Sequence, residues 1–205
     1  MNQLSILRRL RPLVAVVCLL PVAALSAELP EGVTVFQNVG DRNETLIDLD
    51  GSSFWIDPAP PFDRAGMRSL PYLQTASGRV GPSSAPHELR PGSRVEDHDG
   101  PALTFADEIR VVDGDRSAIV FDMGRAATAA DAVVWLPHIR TLVTGRLCDT
   151  DGIAAGKDTD LPAWDAALER LILLEPEIVI PGRGGVGGPE LLTAQLQRLR
   201  DLQRH

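Results

Sequence analysis

The residues suited to chemistry in this chain are few and scattered. Glu96-Asp97-His98-Asp99 is the one dense run of hard-ligand groups, and with His87 it carries the donor types of a cation or zinc contact. Four adjacent side chains cannot all converge on one centre, so the run reads as an acidic, solvated loop. Gly182-Arg183-Gly184-Gly185-Val186-Gly187-Gly188 follows an apolar segment and precedes a helix-like one, where backbone N–H groups and Arg183 could hold an anion. It has neither the lysine and Ser/Thr of a phosphate loop nor the spacing of a dinucleotide fingerprint. A flexible, glycine-rich connection is the better reading. No G-x-S-x-G elbow is present, and Cys148 has no sequence-local partner that would activate its thiol. His138 and His205 stand apart from the other two histidines at no metal-ligand spacing.

The elements that must position these residues are more legible. Val33–Val39 reads as a strand, and residues 45–49 and 52–56 flank Asp50-Gly51, a dipeptide suited to a type I′ hairpin with positive φ at both central positions. Phe54 and Ile56 then face one side and Trp55 the other. Residues 58–103 hold eight prolines and five glycines with no sustained apolar period, which argues against a long helix or a central strand. A short helix over 63–70 and a strand fragment over 72–75 fit there, and the rest reads as loop. Strands are expected over 109–112, 118–121, 132–136 and 141–144. A helix follows over 163–174, capped by Asp160 with Pro162 in its first turn and an apolar stripe of Trp164, Leu168, Leu171 and Ile172. A buried strand over 178–180 leads to a last helix over 189–204, with Leu192, Leu196, Leu199 and Gln203 on its inner face. This order implies a sheet covered by helices on at least one side.

The N-terminus has a separate purpose. Arg8, Arg9 and Arg11 precede an apolar run over 13–25, and Ser26-Ala27 supplies small residues at a cleavage point, the arrangement of a secretory signal peptide over residues 1–27. The run is too short to span a bilayer, which takes about 20 apolar residues. Export to a bacterial periplasm is therefore expected, with no stable membrane span after cleavage. Of the 20 Lys and Arg three lie in the leader, so 17 face 28 Asp and Glu in residues 28–205, a net charge of -11. Nucleic acid is thereby excluded as a general partner, because both polymers are anionic. Cys148 is left alone after cleavage, so no intramolecular disulfide can form, and burial as a small hydrophobe is expected.

Several segments, in order, resemble the metallo-beta-lactamase superfamily, particularly its periplasmic metal-dependent hydrolases. Asn43-Glu44-Thr45-Leu46 through Trp55-Ile56-Asp57-Pro58 looks like that family's opening hairpin, which ends in an aspartate, and Leu103 to Ile109 looks like the segment before its second sheet. Gly124-Arg125-Ala126-Ala127-Thr128-Ala129-Ala130-Asp131-Ala132-Val133-Val134-Trp135-Leu136-Pro137 is the most specific match. Leu142-Val143-Thr144-Gly145-Arg146 and Pro181-Gly182-Arg183-Gly184 complete it. The resemblance covers residues 33–57 and 101–202 and hardly touches 58–100. It implies an α+β fold, a metallo-beta-lactamase-like αββα sandwich, trimmed in the Pro/Gly-rich part of a single domain over 28–205.

That family holds metal ions, usually zinc, on His and Asp ligands, and this chain departs from the pattern at each matched position. Where the resemblance calls for a histidine before Thr128 it has Ala127; for the bridging aspartate after Gly145, Arg146; for the last histidine, Arg183. Aligned on Thr75, the ligand cluster falls on Ala76, Gly78, Val80 and Gly81. Asp57 and Asp131 are the acidic residues expected to remain in the pocket, in Arg146–Asp131 and Arg183–Asp57 ion pairs. No catalytic residue, metal or cofactor is expected. The resulting expectation is a non-catalytic exported protein with a structural, binding or accessory envelope role, its partner an envelope protein or a small anionic ligand. The alternatives are a residual hydrolase with an atypical site, and a small-ligand or anion-binding protein using Arg146 and Arg183.

Overall fold

Along the first strands apolar side chains alternate with the rest, and alternation of this kind gives a sheet one core face. The structure, a computed structural model, describes residues 28–39, 42–57, 72–75, 79–81, 94–97, 101–104 and 107–204. Its first sheet contains β1 (Val33–Val39), β2 (Arg42–Asp48), β3 (Ser53–Ile56), β4 (Tyr72–Gln74), β5 (Arg79–Gly81), β6 (Arg94–Asp97) and β7 (Pro101–Thr104). They lie in the order β1-β2-β3-β4-β5-β7-β6. Phe54 and Ile56 enter the core between the sheets, whereas Trp55 stacks on Phe36 at 5.5 Å between ring centroids. The β2–β3 turn differs from the expected type I′: Asp50 has φ 74°, but Gly51 has no positive φ. Leu49 N–H donates to Ser52 O at 3.0 Å and closes the turn.

Three strands, β5, β6 and β7, lie in the stretch expected to be irregular. Each is only three or four residues long, short enough to fit between prolines, and Pro101 opens β7, a strand position that proline tolerates. Glu96 and Asp97 consequently lie on β6 and not in a loop. His87, His98, Asp99 and the helix expected over 63–70 fall outside the described residues, as does the leader.

The second sheet holds β8 (Glu108–Asp113), β9 (Arg116–Gly124), β10 (Asp131–Leu136), β11 (Thr141–Asp149) and β12 (Ile178–Arg183), ordered β12-β11-β10-β9-β8. Every residue of β10 is buried, because the sheet is covered on both faces. Towards the first sheet, Ala118, Val120, Ala132, Val134, Leu136, Val143 and Ile180 pack on Ile47, Leu49, Phe54, Ile56 and Leu73. On the other face, Val133, Trp135, Leu142, Leu147 and Val179 meet α1 (Leu161–Ile172) and α2 (Glu190–Gln203).

Asp160 caps α1 as expected, accepting from Ala163 N–H at 3.0 Å, and Trp164 donates its indole N–H to Leu147 O at 2.9 Å. These two contacts set the helix on β11. In α2 the buried residues are Leu192, Gln195, Leu196 and Leu199; Gln203 is exposed, against expectation, because the helix end runs past the sheet. No helix among the described residues is long and apolar enough to cross a membrane.

Cys148 is buried beneath α2, and burial pushes its thiol up to about 12. The thiolate is the reactive form. In protein lacking residues 1–27, Cys148 is therefore expected to give almost no fast reaction with a thiol-disulfide reagent in the native state at neutral pH and one equivalent after denaturation. Rapid stoichiometric labelling of the native protein would contradict this.

Candidate functional site

Four loops at one end of the sandwich position the matched residues, and Thr75 is where they meet. At the end of β3 the chain turns at Asp57, with φ 53°, which carries the carboxylate under β4. Thr75 N–H donates to Asp57 Oδ1 at 2.7 Å and Thr75 Oγ1 donates to Oδ2 at 2.5 Å. Thr75 O accepts from Ala132 N–H at 2.8 Å, tying the first sheet to β10. On its other side Thr75 presses on Gly145, so closely that a Cβ there would lie 2.0 Å from Thr75 Oγ1. Gly145 in turn touches the next loop: a Cβ on Gly182 would lie 2.4 Å from Gly145 O and 3.2 Å from Arg146 N. Asp57, Gly145-Arg146 and Gly182-Arg183 thus form one continuous packing unit around Thr75.

Arg183 ends β12, and hydrogen bonds hold the backbone on either side of it. Asn43 Nδ2 donates to Pro181 O and Gly184 O, both at 2.9 Å, and Thr150 N–H and Oγ1 donate to Arg183 O, both at 3.2 Å. Two amides of the glycine run are already used internally. Gly187 N–H donates to Val179 O and Gly188 N–H to Glu190 Oε1, so they are not a cradle for an anion.

The expected ion pairs are exchanged for others. Arg183 Nε lies 3.8 Å from Asp149 Oδ2, because the parallel β11–β12 register sets Asp149 opposite Arg183. Asp131 is engaged by its own loop, accepting from Thr128 N–H at 2.7 Å and Thr128 Oγ1 at 2.9 Å. Asp57, held by Thr75, lies within electrostatic reach of Arg146 and Arg42.

Of the matched positions, Ala127 is buried in the apolar cluster beneath α1, its carbonyl accepting from Thr159 Oγ1 at 2.9 Å. Ala76 and Gly78 fall outside the described residues. Val80 and Gly81 lie on β5, opposite Leu73 and Tyr72, so the antiparallel pairing carries them back along β4, away from Thr75. The sequence reading did not single out Asn43, Asp149 or Thr150. All three act through backbone carbonyls or register partners far along the chain, which leaves no local motif.

Burial pushes the carboxyls of Asp57 and Asp131 above the ordinary carboxylate range, against the opposing effect of the Thr75 and Thr128 hydrogen bonds. A native state with a raised carboxyl pKa holds its proton more tightly than the unfolded chain. Ionisation at neutral pH therefore weakens the fold, and stability returns as pH falls through the raised value. Wild type minus Asp57→Asn isolates this term from His138, whose pKa burial and Arg116 lower. The difference in unfolding free energy is expected to grow in favour of wild type as pH falls from neutral towards about 4, the ordinary carboxylate value. A difference that shrinks over that range would mean that Asp57 is held ionised.

Two facing sheets with helices on the outer face of the second, and the site at the ends of β3, β4, β11 and β12, define an α+β sandwich of the metallo-beta-lactamase type. Solved structures of similar fold bear this out. The DIM-1 metallo-beta-lactamase superposes with a TM-score of 0.61 at 21% identity, over 85% of this chain and 96% of that one. A metallo-beta-lactamase from Pontibacter korlensis gives 0.59 at 16% identity, over 85% and 97%. TMB-1 gives 0.59 at 18%, over 85% and 100%. No protein-family model matches the chain, and no curated protein does.

Among the described residues, nothing at this end of the sandwich fits the metal that such a fold implies. Zinc takes lone pairs from His, Cys, Asp or Glu. Ala127 offers none, Arg146 and Arg183 bring positive charge, and the carboxylates of Asp57, Asp131 and Asp149 are engaged by Thr75, Thr128 and Arg183. Among the described residues, no three His, Cys, Asp or Glu stand together in a way that could hold a metal ion.

Proposed function

We propose that this is a non-catalytic protein of metallo-beta-lactamase-like fold, exported to the bacterial periplasm and serving there in a binding or accessory role. The observation that carries the reading is the contrast within one packing unit. The scaffold of Asp57, Thr75, Gly145 and Gly182 is closely built, while the matched positions on it hold Arg146 and Arg183, and a third matched position, Ala127, lies in the apolar cluster under α1. Hydrolysis in metal sites of this kind depends on a cation that lowers the pKa of bound water. Guanidiniums cannot do that, and they oppose a dication in the same place.

The leader over residues 1–27 supports export, and the acidic chain supports a partner that is neither nucleic acid nor anionic membrane. Incubation of the purified protein with a chromogenic cephalosporin and a chromogenic ester, with and without added zinc, tests the catalytic side. The rates are expected to equal those of buffer. Zinc-stimulated turnover that disappears on Asp131→Ala would overturn the reading. Fractionation of cells expressing the chain with its own leader tests the location, and unprocessed protein in the cytoplasm would overturn that part.

A further inference from the structure

Arg146 stands half-buried in β11 beside β12; among the described residues its side chain has no hydrogen bond or salt bridge, and its electrostatic partner is Asp57. Three carboxylates lie in the same part of the fold, and each has another engagement. Asp57 accepts two hydrogen bonds from Thr75, and Asp131 accepts two from Thr128. Asp149 accepts from Asp151 N–H at 2.9 Å and pairs with Arg183. A guanidinium withdrawn from water is ordinarily matched by a counter-charge. Asp57 is the carboxylate within electrostatic reach of Arg146, but its two oxygens already accept from Thr75, so the donors of the Arg146 fork are not taken up by it.

The surroundings are rigid. Thr75 fills the space against Gly145, the backbone of Gly182 lies against Arg146 N, and Asn43 and Thr150 pin the carbonyls on both sides of Arg183. Arg146 within β11 and Arg183 at the end of β12 therefore leave neighbouring strands whose backbones pack together, with Asp149 paired to Arg183. A preorganised guanidinium fork matches the two oxygens of a carboxylate or phosphate group in geometry and charge. The Gly187 and Gly188 N–H groups are in use, so these two amides of the glycine run do not supply the recognition.

We propose that Arg146, with Arg183 on the neighbouring strand, binds the oxyanion group of a small molecule, a carboxylate or a phosphate, in the place where the fold would otherwise hold metal. The proposal rests on the non-catalytic reading above, since a metal ion would compete for the same space. Calorimetric titration of the purified protein with inorganic phosphate and, separately, with succinate, at fixed ionic strength, tests it. Saturable binding of at least one probe is expected, with a Kd of about 1 mM or tighter.

Arg146→Ala should weaken that binding about tenfold or more, and Arg146→Lys, which keeps the charge but not the fork, should weaken it several-fold. Arg110→Ala, on exposed β8 at the opposite edge of the sheet, should leave it unchanged. Circular dichroism establishes that each variant is folded, and if the alanine variant is not, the lysine variant decides. No saturable binding in wild type, or equal affinity in wild type and the folded Arg146 variants, would overturn the proposal. Zinc measured on the same samples separates the two failures. A zinc-loaded protein contradicts the non-catalytic reading, whereas a zinc-free protein that binds neither anion contradicts only the oxyanion site.

Discussion

Replacing Asp57 with alanine is expected to destabilise the protein by about 3 kcal/mol, a fall of about 6–12 °C in Tm for a chain of this size. Asp57 is 8% exposed and is the acceptor for both the amide and the hydroxyl of Thr75. Truncation leaves two buried donors without an acceptor, each costing about 1–3 kcal/mol, and opens a cavity under the loop. The effect should be structural throughout. Asp57→Asn keeps the size and one acceptor oxygen, so it should lose roughly half as much. Equal losses for alanine and asparagine would show that charge, and not hydrogen bonding, makes the contact with Thr75 stabilising.

The second large effect is expected at Gly145. Its φ of 51° lies in the left-handed region that a side chain disfavours, and a Cβ would fall 2.0 Å from Thr75 Oγ1 and 2.5 Å from Thr75 Cβ. Thr75 cannot withdraw without releasing Asp57, so strain and overpacking act together. Gly145→Ala should cost about 3 kcal/mol or more and yield mostly insoluble or unfolded protein. Gly185→Ala is the matched control: it has no positive φ, and nothing lies within 4 Å of an added Cβ. Chemical denaturation of the two variants side by side checks the difference. A Gly145→Ala protein as stable as Gly185→Ala would mean that the Thr75 contact is not tight in solution.

What was legible from the residues was mostly what local pattern controls. The span of β1, the alternation around Trp55, the Asp160 cap and the α1 stripe all rest on interactions within a few positions, and the structure bears them out. The type I′ turn at Asp50-Gly51 was misread because a dipeptide admits more than one hairpin turn, and the geometry of Leu49 and Ser52 selects among them. The strands at β5, β6 and β7 are too short for periodicity to register against the prolines around them.

At the site, the resemblance named Ala127, Arg146 and Arg183 as positions, but it gave none of their partners. Arg183 meets Asp149 through a parallel register that joins residues far apart in the chain, and Asn43 reaches the same loop from the first sheet. Asp57 and Thr75 were each visible as residues, yet their hydrogen bonds depend on the turn at Asp57 that brings β3 beside β4. Electrostatic partners of this kind are set by topology, and topology is the part that a linear pattern carries least well.

Metal analysis of the purified, untagged protein tests the central claim most directly, because it asks whether the site of a metallo-beta-lactamase-like fold can hold the ion that the fold implies. After incubation with zinc and dialysis against metal-free buffer, the account predicts a zinc content close to that of a buffer blank, since the described residues offer no ligand set and Arg146 and Arg183 bring positive charge to this end of the fold. A reproducible content of about one zinc per chain, as a site completed by three or four ligands would give, that is lost on Asp131→Ala would contradict it.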